Sequence, residues 1–198
     1  MTHGVILFLS TPRSPTTCRG RQLVGSQEEE MSSSTTTRGV VFIHSSPRAL
    51  CPHIEWALGG LLGTPVNLEW VSQPVAAGTV RSEISWVGAP DLSAKIAVAL
   101  RVFPNLRFEI TEEPSPGFDG QRFVSTPSHG IWRSPMGAFG ESFISEEKLR
   151  VAIVNATAQG ASLVDAVDQV IGGPWDRELE PFRYAGEGIP VRWLHQVG

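Results

Sequence analysis

The sequence predicts an α+β fold. A ferredoxin-like βαββαβ unit with an antiparallel sheet covers residues 38–111, and a C-terminal α/β extension with two helices covers 112–198. Two observations lead to this prediction. Apolar residues alternate, or form short β-branched runs, in four segments of the first region, and they recur at helical spacing in two further segments. The order of these six segments is that of the split βαβ motif. That motif hosts many unrelated activities, so it predicts a scaffold rather than a function.

The first strand leads directly into the first helix. Residues 40–44 are β-branched and almost entirely apolar, which is typical of a central strand covered on one or both faces. Ser46 is the expected N-cap of the helix, with Pro47 at its first helical position. Pro52 lies inside the helical pattern, so the regular helix either begins there, after a lead-in turn, or kinks. The predicted apolar face consists of Leu50, Ile54, Leu58, Leu61 and Leu62.

A hairpin, a second helix and a fourth strand complete the unit. Residues 66–70 and 80–86 alternate between apolar and polar, which predicts two paired strands joined by a loop. Asp91 is expected to cap a helix whose apolar positions run to Phe103, before Pro104 ends it. Residues 106–110 then alternate as a fourth strand.

The extension is less regular. Proline and glycine in residues 112–120 predict a loop, and short strands are expected at 122–124 and 130–133. Ser145 is the expected N-cap of one helix, because two glutamates follow it in the first turn. Its predicted apolar positions are Leu149, Ile153 and Val154. A second helix over 163–171 has an apolar face formed by Val164, Val167 and Ile171. After Gly172, Gly173 and Pro174 break this helix, a tail over 175–184 and a final strand over 189–194 are expected.

Residues 1–37 resemble neither element type. Met31 opens a Ser/Thr-rich run just before the first strand, so we expect a disordered leader or an over-extended start, with Met31 as the natural initiator.

Composition excludes several classes of function. The net charge of -4 argues against nucleic acid and anionic membranes as partners, and no apolar run is long enough to span a bilayer. The two cysteines, Cys18 and Cys51, form neither a disulfide framework nor a metal motif, so a cytoplasmic location is expected, with Cys51 as a packed thiol. The five histidines lack metal-ligand spacing, and no metal or cofactor is expected.

Two stretches resemble a known family. Residues 39–58, which begin Gly-Val-Val-Phe-Ile-His-Ser-Ser-Pro-Arg, resemble the start of an uncharacterised family of actinobacterial proteins. Residues 175–183, Trp-Asp-Arg-Glu-Leu-Glu-Pro-Phe-Arg, followed by 191–195, resemble its end. The resemblance covers roughly residues 38–198 and implies a domain of unknown function. It also implies a link to fatty-acid synthesis, whose proteins would be the first partners to try.

The first candidate site is a ligand site at His44, Ser45, Ser46, Arg48 and His53. A helix N-terminus presents free N–H groups that bind phosphate or carboxylate, and the arginine and histidines would add charge. The alternative is a capping serine, a solvated arginine and a core histidine.

Two further clusters are candidates. Ser128 and His129 are neighbours, but adjacent residues seldom have nucleophile–base geometry, and ordinary loop chemistry is the alternative. The tail mixes aromatic and charged residues as interface hot spots do, and its candidate partner-binding residues are Trp175, Arg177, Phe182, Arg183 and Tyr184. The alternative is packing on its own domain, with Arg177 and Arg183 paired to Glu178 and Glu180. Four other tryptophans are expected in the core or on a sheet face: Trp56, Trp70, Trp86 and Trp132.

These observations favour a non-catalytic module that binds a protein partner or a small ligand. The other hypothesis is an enzyme or sensor that acts on a small phosphorylated or carboxylated molecule at the helix start near Ser45 and Arg48. The sequence predicts no oligomeric state.

Overall fold

Six strands form one antiparallel sheet in the computed structural model, which describes residues 35–185. The strands are β1 (Thr37–Pro47), β2 (Val71–Ser72), β3 (Thr79–Gly88), β4 (Arg107–Glu112), β5 (Gly120–Thr126) and β6 (Gly130–Met136). The helices are α1 (Cys51–Leu62), α2 (Leu92–Leu100), α3 (Glu146–Gln159), α4 (Leu163–Ile171) and α5 (Gly173–Tyr184), with a 3-10 turn at Arg48–Leu50. The strand order across the sheet is β2-β3-β1-β4-β5-β6, so the predicted α+β class with an antiparallel sheet is confirmed.

One face of the sheet is covered by α1 and α2. Val41 and Ile43 of β1 pack there beside Phe108 and Ile110 of β4, because alternate residues of a strand point to the same face. Ile54, Leu58, Ile96 and Leu100 fill this core from the two helices, and all four are fully buried. As predicted, β1 is central and buried along most of its length.

The opposite face is covered by α5. Val124 of β5 and Trp132 of β6 pack there against Leu179, which is fully buried. The predicted tail is therefore a helix that lies on the sheet, and the extension has three helices where two were expected.

The predicted start of the first helix is wrong. Ser46 belongs to β1, where it pairs with Val80 of β3, and its hydroxyl contacts the carbonyl of Pro47. The regular helix begins at Cys51, with Pro52 in its first turn, which is one of the two arrangements that Pro52 allowed. The strand continues past His44 because a register shift in β1, seen against both neighbouring strands, lets it stay paired as far as Pro47.

The predicted strand over 66–70 is also wrong. Those residues have no regular structure, and β2 is the two-residue pair Val71–Ser72. The alternation of the segment reflects packing against α1 rather than pairing in the sheet. Val66 is buried, while the carboxylate of Glu55 accepts hydrogen bonds from the backbone N–H of Leu68 and the indole N–H of Trp70.

A glutamate from β4 caps α2. Asp91 occupies the N-cap position, as predicted, but its side chain makes no capping hydrogen bond. Instead Glu112 accepts hydrogen bonds from the backbone N–H groups of Asp91, at 2.7 Å, and Ser93, at 3.0 Å, and from the Ser93 hydroxyl. Glu112, which the sequence placed in a loop, is the last residue of β4 and is buried. The helix ends at Leu100, three residues before Phe103.

The remaining elements agree well with the sequence. β5 and β6 are longer than the predicted short strands, and α4 has the predicted bounds. The Ser145 side chain caps α3 by accepting from the Lys148 N–H, as expected. Gly172 ends α4 with a φ of 88°, a conformation that favours glycine, and it lies against the Trp132 ring.

The described residues belong to the second of two units into which the chain divides, Ser34–Gly198. Within 35–185, no helix combines the length and apolarity that crossing a membrane requires. Residues 1–34 of the predicted leader, with Cys18 and Met31, and the predicted final strand over 189–194 lie outside the described residues. Thr37, which the leader was expected to include, is instead the first residue of β1 and is buried.

Candidate functional site

The structure does not bring the five predicted ligand-site residues together. His44, Ser45 and Ser46 are buried in β1, whereas Arg48 and His53 are exposed. The Ser45 hydroxyl is buried and has no hydrogen-bond partner among the described residues. Because the serines lie in a strand, the helix N-terminus on which the anion site depended is elsewhere. Binding by these residues stays a prediction.

His44 instead belongs to a buried charge cluster centred on Glu109. His44 Nε2 donates to Glu109 Oε2 at 2.8 Å. Arg183 of α5 holds the same carboxylate with two hydrogen bonds, from Nε at 2.8 Å and from Nη2 at 2.7 Å. Arg122 of β5 donates to Glu109 Oε1 at 2.7 Å and to Asp176 Oδ1 at 2.8 Å. Arg183 also donates to Asp176, so two arginines and two carboxylates balance.

The cluster holds Glu109 ionised. Burial alone would raise the pKa of Glu109, but contacts with His44 and Arg183 lower it well below its usual range. Burial would lower the pKa of Arg183, and the carboxylates of Glu109 and Asp176 raise it above its ordinary value. Since three side chains donate four hydrogen bonds to the Glu109 carboxylate, we expect Glu109 to fasten α5 to the sheet rather than to transfer protons.

A second pair extends this contact along α5. Arg107 of β4 donates to Glu178 at 3.0 Å, and its guanidinium lies 4.6 Å from the centroid of the Phe182 ring. Gln73, which is buried, joins the two sides by donating to the carbonyls of His44 and Phe182. The helix thus contacts β4 and β5 through charge and β6 through Trp175, whose indole donates to the Gly130 carbonyl.

The candidate partner-binding residues of α5 mostly face the chain's own sheet. Trp175 and Arg183 are partly buried and Phe182 is buried, whereas Arg177 is exposed and Tyr184 is 71% exposed. The predicted pairing of the arginines was wrong: Arg177 binds Asp168 of α4, and Arg183 binds Glu109 and Asp176. The alternative, packing within the chain, describes four of these five residues better than a free surface does; Tyr184 is the exception.

Ser128 and His129 lie in the exposed turn between β5 and β6. His129 Nε2 is 4.0 Å from Glu178 Oε2, and its ring contacts Trp175, with 5.5 Å between centroids. Its hydrogen bond to the Thr126 hydroxyl comes from the backbone. Ser128 and His129 are therefore described better as ordinary loop residues, the alternative, than as a nucleophile and its base.

Cys51 is buried, as expected of a packed thiol. Burial, followed by the charge of Glu55, raises the pKa of this thiol against a lowering effect of Arg48. Among residues 35–185, no cluster of three or more His, Cys, Asp or Glu side chains could hold a metal ion.

The sequence prediction missed the exposed surface of the α3–α4 hairpin. α4 has a wide apolar face, yet none of its residues is buried within the described structure. Val164 is 77% exposed, and large apolar side chains stand in solvent on both helices: Val151, Ile153, Val154, Leu163 and Ile171. The sequence signal was present in the apolar face of 163–171, which by itself does not show whether that face is covered.

A groove lies between this hairpin and β6. It measures about 630 Å³, and its lining includes Ile131, Trp132 and Arg133 of β6, Val151 of α3 and Val170 of α4. The Trp132 indole donates to the Val170 carbonyl at 3.1 Å, which fixes the end of α4 beside the strand.

Trp56 also departs from expectation. Trp86 and Trp132 are buried and Trp70 is half-buried, but Trp56 is 82% exposed on α1. It borders a second groove, of about 470 Å³, with Gly59, Gly60 and Pro65.

Comparison with known proteins identifies the family alone. Residues 40–196 match the family described as "Protein of unknown function (DUF3145)", and the chain belongs to it. No curated protein and no solved structure matches the chain.

Proposed function

We propose that this member of the DUF3145 family is a non-catalytic protein-binding module that docks its partner on the α3–α4 hairpin. The observation that carries the proposal is α4 itself, which has an apolar face but no buried residue among those described. Helices of soluble domains are normally stabilised by burying such a face.

The exposed residues suit a helical or concave protein surface. Val164, Val167 and Ile171 follow one another at intervals of three and four residues, so they form a stripe along one side of α4. Val154 and Ile153 of α3 add apolar area on the neighbouring helix. Contiguous apolar surface of this kind marks interaction sites in soluble proteins, and covering it stabilises a complex by about 25 cal/mol per Å².

The charged residues support a binding role over catalysis. The buried carboxylate of Glu109 is saturated by His44, Arg122 and Arg183. In the one neighbouring pair that resembled a nucleophile and base, Ser128 and His129, the His129 ring lies beside Glu178 and Trp175. We therefore assign the proposed function to the exposed apolar surface of the α3–α4 hairpin.

Several finer features belong to the same proposal. The order β4-β1-β3-β2 within the sheet supports a ferredoxin-like unit, to which β5 and β6 are added beside β4. Fatty-acid-synthesis proteins are the first partners to test, on the family resemblance. Actinobacterial origin and a cytoplasmic location stay predictions.

The experiment compares Val→Asp substitutions at exposed helix positions. Full-length protein, and variants Val154→Asp and Val164→Asp, are used to purify partners from the source cells. Val98→Asp is the matched control, because Val98 and Val154 are both 59% exposed on helices. We expect wild type and Val98→Asp to retain one specific protein, and both hairpin variants to lose it. The purified partner should then bind with at least about tenfold lower affinity to the hairpin variants. Equal binding by all four proteins would refute the hairpin as the docking surface.

A further inference from the structure

The outer edge of β6 has unpaired backbone groups. β6 is the last strand of the sheet, and its inner edge pairs with β5 throughout. The Pro135 carbonyl points outward, since it accepts from the Phe143 N–H at 2.9 Å. In an antiparallel strand alternate residues direct their backbone groups to the same edge, so Ile131 and Arg133 also present N–H and C=O groups outward. No described residue hydrogen-bonds those groups.

The groove described above runs along this edge. Ile131, Trp132 and Arg133 are consecutive, so their side chains alternate between the two faces of the sheet, yet all three line the groove. A groove touched by both faces must follow the strand edge between them. Its far wall is α3, through Val151, Ala152 and Asn155, and its volume of about 630 Å³ lies within the range of ligand sites.

The groove has a basic excess. Its charged residues are Arg133, Lys148 and Glu147, two positive against one negative. Arg133 and Lys148 are exposed and make no salt bridge with a described residue, and the uncharged lining beside them is mostly apolar, with Asn155 and Gln169 as its polar members. A ligand for this groove therefore needs apolar side chains and negative charge.

We propose that the edge of β6 takes an extended, acidic segment of a protein partner as an added strand. Backbone hydrogen bonds to Ile131 and Arg133 supply two rungs of pairing, and the pleat directs alternate side chains of the segment to opposite sides. One set packs on Val151 and Trp132, and an acidic residue pairs with Arg133 or Lys148. This deepens the proposed function, on which it rests, by naming the chemistry of the partner and a second point of attachment beside the hairpin.

An extended segment suits the edge of β6 better than a helical segment would. A helix satisfies its own backbone groups and leaves those of Ile131 and Arg133 unpaired, whereas a strand about 4.8 Å from β6 satisfies them. The facing helix α3 then supplies an apolar wall for the inward side chains.

The test uses a displayed library of random peptides, about twelve residues long, selected on the full-length protein. We expect enrichment of peptides in which β-branched residues alternate and Asp or Glu recurs. On binding of one such synthetic peptide, the amide signals of Ile131 and Arg133 should shift and gain protection from hydrogen exchange. Enrichment of helical or basic peptides, or no enrichment, would overturn the proposal.

Two matched substitutions at Ile131 distinguish backbone hydrogen bonding from side-chain packing. Ile131→Pro removes the outward N–H, while Ile131→Thr keeps it and keeps a β-branched side chain. We expect at least about tenfold weaker peptide binding for the proline variant and near wild-type binding for the threonine variant, with equal melting temperatures. Equal affinity of the two folded variants would overturn the added-strand geometry.

The charge is tested by Arg133→Gln and Lys148→Gln, with Arg101→Gln on the turn after α2 as control. Loss of binding only in the first two, together with weaker binding at high salt, is the expected result. A negative result here does not affect the hairpin experiment, because Val154 and Val164 do not line the groove.

A truncated protein without residues 186–198 tests a different occupant. If the Ile131 and Arg133 amides are protected from hydrogen exchange in the full chain and lose that protection on truncation, the occupant is this chain's own C-terminal segment, and the partner proposal is wrong.

Discussion

The two faces of the sheet are covered through different kinds of interaction, although both faces belong to the same strands. Phe108 points to the face under α1 and α2 and is fully buried among apolar residues. Its neighbour Glu109 points to the face under α5 and is 1% exposed among charged ones. Consecutive residues of one strand thus enter an apolar core and an ionic cluster. The comparison teaches that the face under α1 and α2 is held mainly by non-directional apolar packing, whereas α5 adds directional ion pairs to its apolar contact through Leu179.

The largest effect is expected on the apolar face. Phe108→Ala removes a fully buried ring and leaves a cavity, so the free energy of unfolding should fall by about 4 kcal/mol. Urea unfolding at pH 7 measures it. A loss below about 1 kcal/mol would show that the apolar face does not hold the domain together.

A somewhat smaller effect is expected on the ionic face. Glu109→Gln keeps the shape of the side chain but leaves Arg122 and Arg183 without their shared buried charge, which should cost about 3 kcal/mol. Glu113→Gln is the matched control, because Glu113 pairs with Arg38 in an exposed position. Indistinguishable unfolding curves for the two variants would mean that the cluster contributes nothing beyond a surface ion pair.

Acid should separate the two faces. The pKa of Glu109 is lowered in the folded state, so its stabilising contribution is complete above the unfolded pKa and is lost as the pH falls toward the folded one. The wild-type free energy of unfolding should therefore decline below about pH 5. Phe108→Ala should decline in parallel, whereas Glu109→Gln should follow a flatter curve. Parallel curves for all three proteins would contradict the assignment.

The smallest effect is expected outside both faces. Arg177 binds Asp168 through two hydrogen bonds, but the pair is exposed to solvent. Arg177→Gln should leave the melting temperature within experimental error, because exposed ion pairs are screened. A clear drop would show that the contact between α4 and α5 matters more than burial indicates.

Local patterns were predicted well where neighbours in sequence decide the structure. The Ser145 cap, the α4 bounds and the paired strands β5 and β6 follow from side-chain periodicity and turn residues. The same reasoning failed at Ser46 and at residues 66–70. Serine before proline suits a helix start, but pairing with β3 and β4 extended the strand instead. Alternation over 66–70 suits a strand, but Glu55 bound the segment to α1.

The buried Glu109 cluster and the Glu112 cap of α2 could not be predicted, because their contacts join distant residues. Glu109 meets Arg183, 74 residues further along the chain, and Glu112 reaches back to Asp91 and Ser93 to cap α2. The aromatic and charged character of 175–184 did attract attention, but its helix and its docking on the sheet were missed. The exposure of Trp56 was misjudged, and that of Val164 was not predicted, for the same reason: a pattern gives the apolar face of an element, not what covers it.

By itself, the sequence determined the mixed fold class, the central first strand, most helix and strand identities, and the family. The family was indicated by resemblance, whereas the other three follow from short-range physics, in which the spacing of apolar residues and caps selects each element. Only the tertiary structure decided that α5 covers the second face through the Glu109 cluster, that α4 leaves its apolar face bare, and that the edge of β6 borders a groove. Those outcomes depend on which surfaces meet once long loops close, and the free energies of such contacts are set by partners that no local pattern identifies.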